Sequence, residues 1–111
     1  MAKEKLVQTK ILHDLRSLGK YCEAFKIEKA SDNGIPDIFF STALTGGIFI
    51  ETKDKTGEAR KLQIFKISKL TSCGSRSFVC HSWDEWFNVK TVLGLHVKEN
   101  IVKAHKELLS G

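Results

Sequence analysis

The sequence contains little proline and few cysteines. Pro36 is its only proline, and Cys22, Cys73 and Cys80 are its only cysteines. An odd number of cysteines with no Cys-x-x-Cys pair argues against a disulfide framework and against a zinc ribbon. We therefore interpret the three cysteines as reduced, partly buried thiols. A zinc-dependent binding domain that uses them together with histidines is the alternative.

The sequence also lacks a long apolar run. No run approaches the roughly 18 residues that a membrane span requires, and no signal-peptide pattern precedes Lys3. We therefore expect an intracellular, cytoplasmic protein. Of its 111 residues, 41% are hydrophobic and 28% are charged. This composition predicts one folded domain over residues 1–111 and argues against disorder.

Positive charge exceeds negative charge, because 18 lysines and arginines face 13 aspartates and glutamates, for a net charge of +5. Part of the excess is concentrated in one stretch, which contains seven basic residues: Lys53, Lys55, Arg60, Lys61, Lys66, Lys69 and Arg76. Such a stretch favours contacts with the phosphates of a nucleic acid.

Two apolar strands joined by a turn occupy the middle of the chain. The predicted strands run from Asp37 to Thr42 and from Gly47 to Lys53, and the turn between them is rich in small residues. A turn centred at Leu44 places Asp37 opposite Glu51, and a turn centred at Thr45 places it opposite Lys53. Because side chains alternate along a strand, either register puts the three charges on one face, whereas a one-residue slip separates them.

Charges at the ends of apolar strands need partners. Two carboxylates, Asp37 and Glu51, are ligands of the kind that Mg²⁺ takes in proteins. Lys53, two residues after Glu51, would point at the same pocket, where its charge could orient a hydroxide that attacks phosphorus. The alternative is a simple salt bridge between Lys53 and a carboxylate at the edge of the sheet.

These residues carry a family resemblance. Gly34-Ile35-Pro36-Asp37, Glu51-Thr52-Lys53 and Gln63 resemble the PD-(D/E)xK nuclease signature, in the form found in virus-type replication-repair nuclease (VRR-NUC) domains, over about residues 4–87. The resemblance implies metal-dependent hydrolysis of DNA phosphodiesters with Mg²⁺ or Mn²⁺. It implies that Asp37 and Glu51 are metal ligands and that the Thr52 carbonyl is a further oxygen ligand. Lys53 would act at the attacking water, and Gln63 would help to position the site.

The predicted order of elements agrees with this resemblance. Helix, three strands, helix and strand, followed by further helices, indicate an α/β fold with a restriction-endonuclease-like αβββαβ core, in which a mixed four-stranded sheet is flanked by helices. The remaining predicted strands are Tyr21–Ile27 and Arg76–Ser82, of which the second is parallel to its neighbour. A third helix opens with a capping box at Ser82 and ends near Leu93. A C-terminal helical extension covers about 95–110, and its helix, from Val97 to Leu109, has Ile101, Ala104, Leu108 and Leu109 on its apolar side.

The first helix, predicted over residues 3–18, contains two polar residues in its apolar arc, Glu4 and Gln8. The resemblance implies that Glu4 supplies a further acidic group to the metal site. The alternative is that Glu4 only interacts favourably with the helix dipole or is solvated at the start of the chain.

The second helix, predicted over Glu58–Ser72, places Gln63 within an apolar arc that faces the sheet and is formed by Ala59, Leu62, Ile67, Leu70 and Cys73. A glutamine there needs hydrogen-bond partners, which the Glu51–Lys53 end of the sheet would provide. A satisfied core glutamine is the alternative. Ile64 and Phe65 lie away from the apolar arc and suggest a subunit contact.

Three aromatic residues of the third helix, Trp83, Trp86 and Phe87, recur at helical spacing. We interpret them as packing residues, with a base-stacking platform as the less favoured alternative.

Small stand-alone VRR-NUC proteins resemble phage and viral DNA-repair enzymes that cut branched DNA, including four-way (Holliday) junctions, as homodimers. The resemblance therefore implies branched DNA and a second copy of the chain as partners. A nickase or an exonuclease would use the same residues. A DNA-binding module without catalysis is a further alternative, which the presence of Asp37, Glu51 and Lys53 makes less favoured.

Overall fold

Helices and strands follow one another in the order that the sequence predicts. The computed structural model describes residues 2–28, 34–53 and 61–111, with the side chains of residues 2–4 excepted. The elements are α1 (Ala2–Arg16), a short 3₁₀ helix (Gly19–Tyr21), β1 (Cys22–Lys26), β2 (Ile38–Thr42), β3 (Gly46–Thr52), α2 (Lys61–Ser72), β4 (Arg76–Cys80), α3 (Trp83–Leu93) and α4 (Lys98–Ser110). The αβββαβ core is confirmed. The predicted start of the second helix, at Glu58, lies outside the described residues.

The four strands form one sheet in the order β1-β2-β3-β4. The first two pairings are antiparallel and the third, between β3 and β4, is parallel. A parallel pair needs a crossover connection, and α2 lies within the chain segment that connects β3 to β4. The predicted mixed sheet and the parallel orientation of the last strand are confirmed.

The β2–β3 hairpin has the first of the two predicted registers. Ile38 pairs with Ile50 and Thr42 with Gly46, so the hairpin is centred at Leu44. In the turn, Thr42 Oγ1 accepts a hydrogen bond from the Thr45 backbone N–H at 3.1 Å. Gly46 follows with a positive φ of 69°, a conformation that glycine adopts without strain. This register places Asp37 opposite Glu51.

The hydrophobic core lies on one face of the sheet, between the strands and helices α1 and α3. Alternate residues of the central strands are fully buried there against apolar residues of the helices: Ile38, Phe40, Ile48 and Ile50 from the sheet, Ile11, Leu12 and Leu15 from α1, and Trp86 from α3. Phe40 and Trp86 meet edge to face with ring centroids 5.9 Å apart. The alternation of the strands places Phe39, Phe49 and Glu51 on the opposite face, where Gln63 of α2 contacts Glu51.

Trp86 also joins α1 to α3. Its indole Nε1–H donates to Asp14 Oδ2 at 2.8 Å, and Lys90 Nζ lies 2.9 Å from the same oxygen. The packing role predicted for Trp86 is therefore confirmed. The same prediction is wrong for Trp83 and Phe87, which are 40% and 50% exposed. Trp83 and Phe87 are rotated from the buried Trp86 by about 60° and about 100° around α3, so they lie at the edges of its buried side.

Two helices are less buried than the sequence predicts. Ile101 of α4 is fully buried, but Leu108 and Leu109 are 69% and 75% exposed, so the predicted apolar side of this helix is covered only in its first half. None of the α2 residues that the structure describes, Lys61–Ser72, is buried, and Leu62 of the predicted apolar arc is 47% exposed. Among residues 2–28, 34–53 and 61–111, no helix is long and apolar enough to cross a membrane.

Candidate active site

The Glu51 carboxylate lies at the end of β3 with its side chain only 2% exposed. Lys53 Nζ is 3.2 Å from Glu51 Oε2, and Gln63 Nε2 of α2 donates a hydrogen bond to the same oxygen. The other carboxylate oxygen, Oε1, is buried and has no hydrogen-bond partner in the part of the chain that the structure describes. Glu51 thus has one oxygen held by the protein and one available to a ligand.

Asp37 is fixed from β3 by Thr52. The Thr52 backbone N–H and the Thr52 hydroxyl both donate to Asp37 Oδ2, each at 2.9 Å. The backbone N–H of Asp37 donates to the Ile50 carbonyl at 3.1 Å. The aspartate side chain therefore replaces a backbone carbonyl as the acceptor for Thr52 at the end of the hairpin, and this fixes its carboxylate beside Glu51.

The residues before Asp37 bring β2 close to α2. Gly34 has a φ of +83°, and a Cβ atom at this position would lie 2.8 Å from the Leu62 carbonyl oxygen. Only glycine fits such a close backbone approach at a positive φ. Pro36 is buried and cannot donate to a strand ladder, which suits its place just before β2. This contact holds Leu62, and hence the neighbouring Gln63, against the segment that leads into Asp37 and β2.

The electrostatics of the site are dominated by the burial of Glu51. Desolvation, together with the neighbouring charge of Asp37, raises the pKa of Glu51 from 4.5 to about 7, although Lys53 acts in the opposite direction. Two carboxylates side by side repel each other, and a cation relieves both the repulsion and the cost of burial.

The donor set fits a hard divalent cation. Magnesium is held by one or two carboxylates with water and substrate phosphate as further ligands, and here Asp37 and Glu51 lie together with Glu51 Oε1 unpartnered among the described residues. No cluster of three histidine, cysteine, aspartate or glutamate side chains occurs within the described ranges. Within these ranges, the proposed site contains only two such side chains, Asp37 and Glu51, and is therefore compatible with that result. A role of the Thr52 carbonyl as a third ligand stays a prediction.

The zinc alternative finds no support. Cys80 is buried on β4, Cys22 is half-buried on β1, and Cys73 is exposed after α2, which corrects the expectation that all three are partly buried. Burial raises the pKa of Cys80 to about 12 and that of Cys22 to about 11. Strands β1 and β4 are the two outer strands of the sheet, so the backbones of Cys22 and Cys80 are separated by three strand spacings, about 14 Å, which is too far for one metal ion to bind both.

The remaining predicted residues fall into three groups. Gln63 lies where its prediction places it, beside Glu51 and Lys53. Glu4 belongs to α1, but its side chain lies outside the described residues, so its role stays a prediction. The basic residues Lys55 and Arg60 also lie outside the described residues, whereas Lys61, Lys66 and Lys69 are carried by α2.

One residue of this network was not assigned a role from the sequence. Gln8 of α1 is buried, and its Nε2 donates to Thr52 Oγ1 at 3.3 Å. The available signal was a polar residue inside the apolar arc of the first helix. Its partner, 44 residues away, becomes visible only when α1 is packed against the sheet.

Comparison with known proteins agrees with this geometry. The family model of the VRR-NUC domain matches residues 2–84. One solved structure, described as a VRR_NUC domain, is 23% identical, with 75% of this chain and 88% of that chain covered and a TM-score of 0.65. Another, described as a VRR_NUC domain protein, is 22% identical, with 86% and 88% covered and a TM-score of 0.63. The search of curated proteins found no match.

The two solved structures show the fold, and the family model covers most of the chain and includes Asp37, Glu51, Lys53 and Gln63. A domain of this kind implies a nuclease-type function in DNA processing, with DNA as the substrate. The chain belongs to the VRR-NUC domain family.

Proposed function

We propose that the protein is an endonuclease that hydrolyses DNA phosphodiester bonds with Mg²⁺ or Mn²⁺ and that its preferred substrate is branched DNA. The observation that carries the proposal is the pair of carboxylates at one end of the sheet. Glu51 presents an unpartnered buried oxygen among the described residues, and Lys53 lies 3.2 Å from its other oxygen.

Each residue has a distinct role in the proposed reaction. Asp37 and Glu51 hold the cation, with the Thr52 carbonyl and the Glu4 side chain as further candidate ligands. When bound, the cation supplies Lewis-acid activation of water and of the scissile phosphate. Lys53 orients the attacking hydroxide and stabilises negative charge that develops on the phosphate oxygens. Gln63 holds the Glu51 carboxylate by donating to Oε2.

The charge of the chain supports a DNA substrate. The net charge is +5, and α2, which carries Gln63, also carries Lys61, Lys66 and Lys69. Lysines on the helix next to the site would contact phosphates on either side of the scissile bond. We also propose a cytoplasmic location, where an enzyme of DNA repair would meet intracellular DNA.

A second copy of the chain is the proposed partner. Ile64 and Phe65 of α2 are 56% and 63% exposed, and the neighbouring Leu62 is 47% exposed. Large apolar side chains on a helix without a buried residue are typical of an interface. A two-fold homodimer would carry two active sites, which suits paired cuts in a four-way junction.

The test is cleavage of a labelled four-way junction, a flap and a linear duplex side by side, with Mg²⁺, Mn²⁺ or EDTA. We expect paired cuts in the junction only when metal is present, and no cuts by Asp37→Asn or Lys53→Ala, while both variants still bind the junction. Asp84→Asn, an exposed carboxylate on α3, is the matched control and should cut like the wild type.

The other outcomes identify the alternatives. Equal cutting of all three substrates removes the preference for branched DNA. Single-strand cuts indicate a nickase, and digestion from DNA ends indicates an exonuclease. Binding without cutting under every metal condition indicates a non-catalytic DNA-binding module.

A further inference from the structure

A chain of hydrogen bonds runs from α1 to the candidate metal site. Gln8 Nε2 donates to Thr52 Oγ1 at 3.3 Å, and Thr52 Oγ1 donates to Asp37 Oδ2 at 2.9 Å. Thr52 is fully buried and Gln8 is 9% exposed, so water does not compete freely for these groups. The three residues come from three different elements or their ends, which makes the chain of bonds a property of the tertiary structure.

The chemistry of the three groups fixes the direction of the bonds. A side-chain NH₂ group only donates, and a hydroxyl has one proton to give. When Thr52 Oγ1 accepts from Gln8, its own proton is free to point at Asp37 Oδ2. An ionised carboxylate only accepts. Gln8 therefore favours the one orientation of the Thr52 hydroxyl in which Asp37 is held as an anion by two donors, the second being the Thr52 backbone N–H.

Packing alone does not require an amide at position 8. The neighbouring residues of the same side of α1, Ile11 and Leu15, are apolar and buried at 0% and 1% exposure. A buried amide costs free energy unless its polar atoms are bonded, and an apolar side chain of similar length would fill the same space. The specific contribution of Gln8 is thus its hydrogen bond to Thr52.

We propose that Gln8 is a positioning residue, which acts through the Thr52 hydroxyl to orient the Asp37 carboxylate for cation binding. Gln8 touches neither the cation nor the DNA in this arrangement. Oδ2 of Asp37 is the oxygen held by Thr52, and Oδ1 is the oxygen that serves the cation. The inference rests on the proposed metal-dependent function and assigns to α1 a role in the site that does not depend on Glu4.

Binding of Mn²⁺ by calorimetry, without DNA, tests the inference. Gln8→Met keeps the length of the side chain and removes the donor, and Thr52→Val keeps the shape and removes the hydroxyl. We expect each to weaken Mn²⁺ binding by about tenfold, the usual effect of removing a group that orients a metal ligand. Thr52→Ser retains the hydroxyl and should bind Mn²⁺ within about threefold of the wild type.

The double variant separates a positioning role from a merely structural one. If Gln8 acts through Thr52, Gln8→Met in the Thr52→Val background weakens binding no further, whereas independent effects multiply to about 100-fold. Ile11→Val is the stability control, because it should destabilise the same helix and leave Mn²⁺ affinity unchanged.

The failure of this inference differs from the failure of the proposed function. The inference alone is overturned if the wild type binds Mn²⁺ and cuts DNA but Gln8→Met binds Mn²⁺ as tightly as the wild type. It is also overturned if the effects of Gln8→Met and Thr52→Val on Mn²⁺ affinity multiply in the double variant. A wild type that neither binds Mn²⁺ nor cuts DNA overturns the proposed function, and the inference with it.

Discussion

Asp37 and Glu51 lie opposite each other across the β2–β3 hairpin, because Ile38 pairs with Ile50 one position further into the sheet. The two carboxylates are held differently. Asp37 accepts two hydrogen bonds from Thr52, whereas Glu51 Oε2 is shared between Lys53 and Gln63. In both cases the protein engages one carboxylate oxygen, and the side-chain groups among the donors can be removed one at a time, which makes their contributions measurable.

Removal of the Gln63 donor should impair catalysis more than folding. Gln63→Leu leaves Glu51 Oε2 with Lys53 alone, so the carboxylate loses part of its orientation, and we expect cleavage to slow by about 10- to 100-fold. Single-turnover cleavage of the labelled junction measures the effect. Thr71→Ala, an exposed position of the same helix, is the control, and wild-type rates in Gln63→Leu would contradict the role of Gln63.

The pKa of Glu51 predicts how stability depends on pH without metal. Its folded-state pKa of about 7 lies above the ordinary 4.5, so between these values the folded protein binds a proton that the unfolded chain does not. The free energy of unfolding that depends on this proton is fully present below about pH 4.5. It is lost as the pH rises through 7, and the total loss is roughly 3 kcal/mol at most.

Thermal unfolding in EDTA at pH 5 and pH 8 measures this effect. Glu51→Gln should be the more stable protein at pH 8, and its advantage over the wild type should disappear by pH 5. Mg²⁺ should raise the melting temperature of the wild type at pH 8, because it binds the folded state. Equal pH dependence of the two proteins would contradict the assignment, and Glu99→Gln, an exposed carboxylate on α4, should behave like the wild type.

The close approach of Gly34 to Leu62 predicts a large effect of one methyl group. Gly34→Ala adds a Cβ atom 2.8 Å from a backbone oxygen at a positive φ. We expect a loss of at least about 2 kcal/mol in unfolding free energy and a loss of cleavage, because the start of α2 must move and Gln63 follows Leu62.

Gly19→Ala is the matched control for this substitution. Gly19 also has a positive φ, of 59°, but a Cβ atom there meets nothing within 4 Å. It should cost only about 1 kcal/mol of backbone strain and should retain cleavage. Urea unfolding and junction cleavage of both variants check the prediction, and equal effects of the two would contradict it.

The exposed apolar surface of α2 predicts a variant that is folded but monomeric. Phe65→Lys changes a side chain that is 63% exposed, so the fold of a single chain should lose little. If this surface joins two copies, light scattering should show the mass of one chain. Val92→Lys on α3, 76% exposed, is the control and should remain dimeric. A dimeric Phe65→Lys would place the interface elsewhere.

The hairpin and its charged ends could be predicted because they depend on neighbours in sequence. Alternation along the strands and the small residues of the turn limited the pairing to two registers, and the Thr42–Thr45 hydrogen bonds favour the one centred at Leu44. The position of Gln63 followed from helical periodicity and the need of a glutamine for partners.

Other features depend on how the elements meet and could not be predicted. The bond from Gln8 to Thr52 spans 44 residues and forms only when α1 lies against the end of β3. The exposure of Leu62 and Leu108 was missed for a related reason. Periodicity shows which side of a helix is apolar, but it does not show whether another element covers that side along its whole length.

The different burial of the three cysteines provides a chemical handle on the protein. Cys73 is exposed just after α2, while Cys22 and Cys80 are partly or fully buried and their thiols are protonated at neutral pH. A maleimide dye should therefore attach selectively to Cys73 in the native protein. A single fluorophore at the end of the helix that holds Gln63 would let DNA docking be followed by fluorescence anisotropy in real time, without any engineered cysteine.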